Sequence, residues 1–128
     1  MPILLDTHAL LWWMIGDPRL SPRARAVVGA QNAEVLVSAA SAWELAMKVR
    51  LAKLPLAARL IYRLSESLAE QDFKPLAIRL ERGRLGGLLP GEHRNPFDRI
   101  LAAQALLENM TLVTSDPAFV AFGVEVLW

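Results

Sequence analysis

Short apolar runs alternate along the chain with longer stretches in which apolar residues recur every three or four positions. The short runs are typical of buried strands, and the longer stretches are typical of helices that bury one face. Strands that alternate with helices indicate a mainly parallel sheet covered on both faces, so we predict an α/β fold with about four or five strands. The predicted strands are PILL (2–5), EVLVS (34–38), FKPLAI (73–78), TLVT (111–114) and VEVLW (124–128), and the predicted helices are 7–15, 22–30, 41–52, 56–70 and 96–109.

One stretch departs from this alternation. Residues 81–94 read ERGRLGGLLPGEHR, which combines glycine with basic residues. The stretch has neither the spacing of a phosphate-binding loop nor that of a dinucleotide fingerprint. We therefore predict a flexible loop that follows a short helix.

Length and composition favour one globular domain over residues 1–128. The chain is 54% hydrophobic and 21% charged, which is typical of a folded protein with a large core. No apolar run approaches the roughly 18–20 residues of a membrane helix. The apolar N-terminal segment lacks a basic leader and contains Asp6, so we interpret it as a core strand and not a signal peptide.

The charge and the cysteine content exclude several classes of site. The chain has no cysteine, which excludes disulfides and thiolate metal sites and is consistent with a cytoplasmic location. The formal net charge is only +1, so no global basic field indicates a nucleic-acid partner. Any nucleic-acid chemistry must therefore come from a local site.

Four acids stand at or just beyond the ends of predicted strands: Asp6, Glu44, Asp98 and Asp116. Each has a structural explanation, because acids and their neighbours cap helices. Ser41 with Glu44 fits a capping box, and Asp6, Asp98 and Asp116 each lie where a helix could start. Capping is the better single explanation for Glu44, Asp98 and Asp116, whereas an acid directly after an apolar strand, as at Asp6, is harder to explain.

Considered together, the four acids favour a metal site. The exits of parallel strands lie at one edge of the sheet, where ligands bind. Carboxylates about 5 Å apart would repel by roughly 3 kcal/mol per pair at an effective dielectric near 20, whereas a cap stabilises by only about 1 kcal/mol. A divalent cation would offset that repulsion. Oxygen ligands suit Mg²⁺ or Mn²⁺, and metal-assisted phosphodiester hydrolysis follows most directly.

Four motifs resemble, in order, those of the PIN-domain ribonucleases, and in particular the VapC-like toxins of type II toxin–antitoxin pairs. The motifs are LLDTHALLWW (4–13), SAASAWELAMK (38–48), HRNPFDRILAAQA (93–105) and LVTSD (112–116). The resemblance implies a three-layer α/β/α sandwich and Mg²⁺- or Mn²⁺-dependent cleavage of structured RNA such as tRNA or rRNA. It also implies a homodimer, in some cases in a higher assembly, that is neutralised by a cognate antitoxin whose segment blocks the acidic pocket.

The resemblance carries over to individual residues. It implies that Asp6 and Asp98 bind the metal, and that Glu44 and Asp116 do so directly or through water. Thr7 and Thr114 match hydroxyl positions that orient ligands or water. The supporting candidates are Thr7, Thr114, Asn95 and Arg99. Relatives commonly carry Asp where this chain has Asn95, and Asn caps a helix equally well.

Some roles stay open. Arg99 fits either an ion pair with a carboxylate or a contact to phosphate, with the ion pair favoured. For His8 and His93, packing or hydrogen bonding is a better explanation than direct catalysis. The spacing of the acids disfavours a receiver domain and a haloacid-dehalogenase-like phosphatase. A PIN fold that binds RNA or protein without cleavage remains the alternative to the nuclease.

Overall fold

The computed structural model describes residues 2–128, which form a five-stranded sheet and seven α-helices and confirm the predicted α/β fold. The strands are β1 (Pro2–Leu5), β2 (Glu34–Ser38), β3 (Lys74–Leu76), β4 (Thr111–Val113) and β5 (Val126–Leu127). The helices are α1 (Thr7–Ile15), α2 (Pro22–Val28), α3 (Ala39–Arg50), α4 (Ala58–Tyr62), α5 (Leu64–Glu70), α6 (Leu80–Leu88) and α7 (Pro96–Leu107). Two 3-10 turns cover Pro55–Ala57 and Pro117–Phe122. None of the helices within residues 2–128 has the length and hydropathy needed to cross a membrane.

The sheet places β1 at its centre. The strand order is β3-β2-β1-β4-β5, and every neighbouring pair is parallel. Leu5 at the end of β1 is in register with Val37 of β2 and Val113 of β4. The chain extends the sheet first to one side of β1 and then to the other, so the order reverses beside β1. In open α/β sheets, the crevice at the carboxyl ends of the strands at such a reversal is the usual ligand site.

Helices cover both faces of the sheet, which gives the predicted three-layer sandwich. Ile3 and Leu5 belong to one core cluster, and Leu4 belongs to the other, because successive side chains of a strand point to opposite faces. Helices α1 to α5 contribute to the first cluster, and Leu101 of α7 with Phe119 contributes to the second. The sheet is therefore buried on both sides, as parallel sheets require.

The helix predicted over 56–70 is broken. A 3-10 turn precedes α4, and Arg63 separates α4 from α5 with a backbone φ of −129° and ψ of 32°, outside the helical region. Leu60 and Leu68 nonetheless pack into the same core cluster from the two helices, with Leu64 against it. The four-residue spacing of leucines continues through the break, so the periodicity gave no sign of it.

The prediction of a loop over 81–94 is wrong for most of that stretch, because Leu80–Leu88 is helix α6. One glycine of this helix, Gly86, has a packing role. A Cβ atom at this position would lie 3.2 Å from the backbone oxygen of Arg99, so the glycine lets α6 approach α7 closely. The glycine therefore serves helix packing, and the connection to α7 is confined to residues 89–95.

Candidate metal-binding active site

Asp6 and Asp116 follow β1 and β4, the two neighbouring strands at which the sheet order reverses. Asp6 caps α1, since its Oδ1 accepts a hydrogen bond of 2.7 Å from the backbone N–H of Ala9. Its Oδ2 accepts from the Thr114 hydroxyl at 2.5 Å. The same hydroxyl oxygen accepts the backbone N–H of Asp116 at 3.1 Å. Thr114 thus holds the two acid-bearing turns together.

Burial changes the acid strength of Asp6. Only 7% of this residue is exposed, and loss of hydration raises its pKa from 3.8 to about 6. The hydrogen bonds from Thr114 and Ala9 and the charge of His8 lower the pKa, whereas the negative charge of Asp98 raises it. The direct bonds to Asp6 therefore offset only part of the cost of burying its charge.

Glu44 is not part of a helix cap, so the predicted Ser41–Glu44 capping box is wrong. Helix α3 begins at Ala39, because the Ser38 hydroxyl oxygen accepts the backbone N–H of Ala40 at 3.0 Å. Glu44 lies in the second turn and is 4% exposed. Its Oε2 pairs with Nζ of Lys48, one turn on, at 3.1 Å. Its Oε1 is buried and has no hydrogen-bond partner within residues 2–128.

Asp98 lies in the first turn of α7 and does not cap that helix. Asn95 is the cap, and its side-chain oxygen accepts the backbone N–H groups of Phe97 and Asp98 at 2.9 Å and 3.3 Å. The Asp98 side chain contacts His93 and not the backbone of α7: its Oδ2 lies 2.9 Å from Nε2 of His93. Burial raises the pKa of Asp98, and the hydrogen bond from His93 lowers it. The carboxylate is therefore held by His93, for which the sequence favours packing or hydrogen bonding over direct catalysis.

Three side chains form a compact group of possible metal ligands: His93, Asp98 and Asp116 can each bring one ligand atom within 4.8 Å of the others. Asp116 also caps the 3-10 turn that follows it, accepting from the backbone N–H of Ala118 at 2.9 Å. Capping and a place in the group are thus compatible.

The other two acids lie outside this group and are coupled to it by charge. The negative charges of Glu44 and Asp116 raise the pKa of Asp98, and the charge of Asp98 raises the pKa of Asp6. Asp98 is therefore coupled by charge to each of the other three acids.

The side chains of Thr7 and His8 make their contacts to groups other than the acids. The Thr7 hydroxyl donates to that of Ser41 at 3.1 Å, which links α1 to α3. His8 is exposed and stacks against Trp12, with ring centroids 5.5 Å apart.

Arg99 does not form the ion pair with a carboxylate that the sequence favours, and it contacts backbone carbonyls instead. Its guanidinium donates to the backbone oxygens of Gly86 and His93 at 2.8 Å each and also to that of Leu89. It lies over the ring of Phe122, 5.5 Å from the centroid. Arg99 forms no ion pair in the part of the chain that the structure describes, because three backbone carbonyls occupy its donors. It fixes the connection between α6 and α7.

The donor set fits a divalent cation. The residues offer carboxylate oxygens and one imidazole nitrogen, and oxygen-rich sets suit Mg²⁺ and Mn²⁺. The unbonded Oε1 of Glu44 supports this fit, because a buried polar atom without a hydrogen-bond partner lowers the stability of the fold by about 1–3 kcal/mol. Lys48 pairs with the other oxygen of this carboxylate. A cation at this edge would satisfy an atom that the described side chains leave unbonded.

Comparison with known proteins agrees with this fold. The family model described as PIN domain matches residues 3–125. A comparison with curated protein sequences finds no match to this chain.

Solved structures share this fold at low sequence identity. One is VapBC2 from Rickettsia felis, bound to a DNA fragment from its promoter. It has 18% identity and a TM-score of 0.71, with 99% of this chain and 98% of that chain covered. FitAcB from Neisseria gonorrhoeae has 23% identity and a TM-score of 0.69, with 98% and 96% covered. A domain of a functionally unknown protein from Methanocaldococcus jannaschii has 16% identity and a TM-score of 0.55, with 99% and 89% covered.

Proposed function

The chain belongs to the PIN-domain family, and from this membership and the acidic site we propose that it is a metal-dependent endoribonuclease acting as a VapC-like toxin. The reaction is hydrolysis of phosphodiester bonds in structured RNA, such as tRNA or rRNA. The proposed unit is one PIN domain over residues 1–128, in the cytoplasm.

The observation that carries the proposal is the buried, unbonded Oε1 of Glu44, in an acid that acts electrostatically on the Asp98–Asp116–His93 group. Asp98 and Asp6 would bind Mg²⁺ or Mn²⁺, with Glu44 and Asp116 binding it directly or through water. When bound, such an ion polarises a phosphoryl oxygen and lowers the pKa of a coordinated water. The acids also exclude phosphate from the site when no cation is present, because like charges repel.

Other residues of the proposed site act through the acids. Thr114 orients Asp6 and connects it to the turn of Asp116. Asn95 starts α7 so that its first turn carries Asp98 to the edge of the sheet. Arg99 and Thr7 belong to the framework, since their hydrogen bonds are made to backbone carbonyls and to Ser41.

The proposed partners are RNA, a cognate antitoxin and a second copy of this chain, with a higher assembly formed on antitoxin binding. VapBC2 and FitAcB, whose structures share this fold, are toxin–antitoxin complexes, which supports an antitoxin partner. The alternative is a PIN fold that binds RNA or protein without cleavage. Two acids with raised pKa values and an unbonded buried carboxylate oxygen favour the nuclease. These features destabilise the metal-free fold, and groups of this kind cluster at functional sites.

The test compares RNA cleavage by the wild type, Asp6→Asn and Asp98→Asn, with Mn²⁺ and with EDTA. Asp72→Asn provides the matched control, since it makes the same chemical change at an exposed turn after α5. We expect cleavage by the wild type and Asp72→Asn with Mn²⁺ only, and a loss of at least 100-fold in the other two. Equal cleavage by folded Asp98→Asn would remove that residue from the mechanism. RNA binding without cleavage by the wild type would favour the silent module.

A further inference from the structure

His93 makes the one side-chain hydrogen bond that Asp98 has within residues 2–128. Nε2 of His93 lies 2.9 Å from Oδ2 of Asp98. An ionised carboxylate has only acceptors, so the imidazole nitrogen must be the donor. A carboxylate that is hydrogen-bonded through one oxygen presents the other oxygen in a restricted direction. In metal sites, partners of this kind orient the ligating groups.

The His93 ring is itself held from several sides. It packs against Phe119 and Phe122, with centroid distances of 6.4 Å and 5.9 Å. Its backbone oxygen accepts a hydrogen bond of 2.8 Å from Arg99, the residue that directly follows Asp98. Two further donors of the same guanidinium bind the carbonyls of Gly86 and Leu89, at the end of α6. A planar guanidinium has the fixed fork of donors that such a set of contacts requires.

Resting on the proposed function, we infer that His93 is a positioning residue: it orients the Asp98 carboxylate for the cation, and Arg99 acts through His93 by fixing its backbone. His93 lies close enough to Asp98 and Asp116 to be a ligand itself. The nitrogen that faces Asp98, however, is occupied by the hydrogen bond to that carboxylate. In the inferred arrangement, the His93 imidazole donates a hydrogen bond to the Asp98 carboxylate, and only oxygen atoms coordinate the cation.

The test is a titration with Mn²⁺ alone, in which the electron paramagnetic resonance signal of free Mn²⁺ gives the dissociation constant without any RNA. We expect His93→Leu to weaken binding by about 10–100-fold. His93→Gln has an N–H donor at a similar reach, so we expect it to recover most of this loss. The matched comparison is His8→Leu, which removes an exposed histidine that packs on Trp12 and acts on Asp6 only through its charge, so its loss of affinity should be much smaller than that of His93→Leu. Thermal unfolding of the metal-free variants verifies that each is folded.

Several results would overturn the inference. Wild-type affinity in His93→Leu would show that the histidine does not position Asp98. Equal losses in His93→Leu and His93→Gln would show that a donor at this position is not what matters. A directly coordinated nitrogen in the pulsed resonance spectrum of the wild-type Mn²⁺ complex would make His93 a ligand.

The role of Arg99 has its own test, a double-mutant cycle with Arg99→Lys. The three donors of lysine share one nitrogen, so they cannot replace the three separate guanidinium nitrogens that contact Gly86, Leu89 and His93. If Arg99 acts through His93, Arg99→Lys weakens Mn²⁺ binding in the wild type and adds little in the His93→Leu background. Additive losses would separate the two residues. Asp98→Asn separates the proposed metal site from the positioning role of His93. Unchanged Mn²⁺ binding by Asp98→Asn would refute the metal site itself. Wild-type binding by the His93 variants alone would refute only the positioning role.

Discussion

The buried carboxylate of Asp6 makes a quantitative prediction about stability in the absence of metal. Its pKa is about 6 in the folded chain, against 3.8 when the side chain is hydrated. Each pKa unit corresponds to about 1.36 kcal/mol, so burying the ionised form costs about 3 kcal/mol. Asn has nearly the same shape without the charge: its oxygen can accept the Ala9 N–H, and its amide nitrogen can donate to the Thr114 hydroxyl oxygen in place of the bond that Asp6 accepts. We expect Asp6→Asn to be more stable than the wild type by about 3 kcal/mol at pH 7.5 in EDTA.

The sign of the pH dependence follows from proton binding. Between pH 3.8 and about 6 the folded state binds the Asp6 proton more tightly than the unfolded state does, so the wild type loses stability as the pH rises through this window. The penalty is complete above pH 6 and absent below pH 3.8. The advantage of Asp6→Asn should therefore grow across the window and then stay constant. For a chain of this length, about 3 kcal/mol corresponds to roughly 10 °C in the melting temperature.

Urea unfolding followed by tryptophan fluorescence between pH 4.5 and 8, with EDTA throughout, measures the difference directly. Asp72→Asn is again the control, because it changes the same charge at an exposed turn. A variant that was no more stable than the wild type at pH 7.5, or an advantage that did not change with pH, would refute the argument. The combination expected for a metal site is a more stable metal-free protein that has lost its response to Mn²⁺.

Three further changes test the packing and the hydrogen bonds. Thr114→Val removes a bond that lowers the Asp6 pKa, so the pH window of the unfolding free energy should extend above 6, and an unchanged window would count against that bond. Gly86→Ala should cost about 1–3 kcal/mol in urea unfolding, because its Cβ would lie 3.2 Å from the backbone of α7, whereas Gly83→Ala, with open space around it, should be neutral or stabilising. Leu101→Ala empties a fully buried position and should cost about 2–5 kcal/mol, and a cost under 1 kcal/mol would contradict the assigned core.

Local patterns were sufficient to predict most elements of this fold. The bounds of β1, β2 and α1 agree with the prediction. These elements are apolar runs whose ends are marked by residues adjacent in the sequence, so their bounds can be read locally. The strand predicted at 124–128 is shorter in the structure, Val126–Leu127, since its length depends on how far the β4 edge can pair. The break at Arg63 and the helix around Gly86 depend on packing partners distant in sequence, and periodicity carries no information about them.

The candidate site likewise combines residues that the sequence identifies with contacts that it does not. The acids are identifiable because the ends of parallel strands share an edge, whatever the side-chain details. The partners of those acids are not identifiable in this way. Arg99 binds carbonyls of Gly86, Leu89 and His93, and no rule of spacing selects a backbone oxygen as a partner. The only sequence signal for His93 was its place in the connection just before the cap of α7.

The central position of β1 has a consequence for the order of events during synthesis. The hydrogen bond from Thr114 to Asp6 spans 108 positions of the chain, and β1 lies between β2 and β4. A growing chain therefore carries Asp6 and Glu44 well before it has the strand that completes the other side of β1 and brings Thr114 and Asp116. Contacts of such long range form late, because the intervening loop must first close. In the proposed toxin, the pocket cannot assemble until β4 has left the ribosome, so harmful activity is delayed until nearly the whole domain has been made.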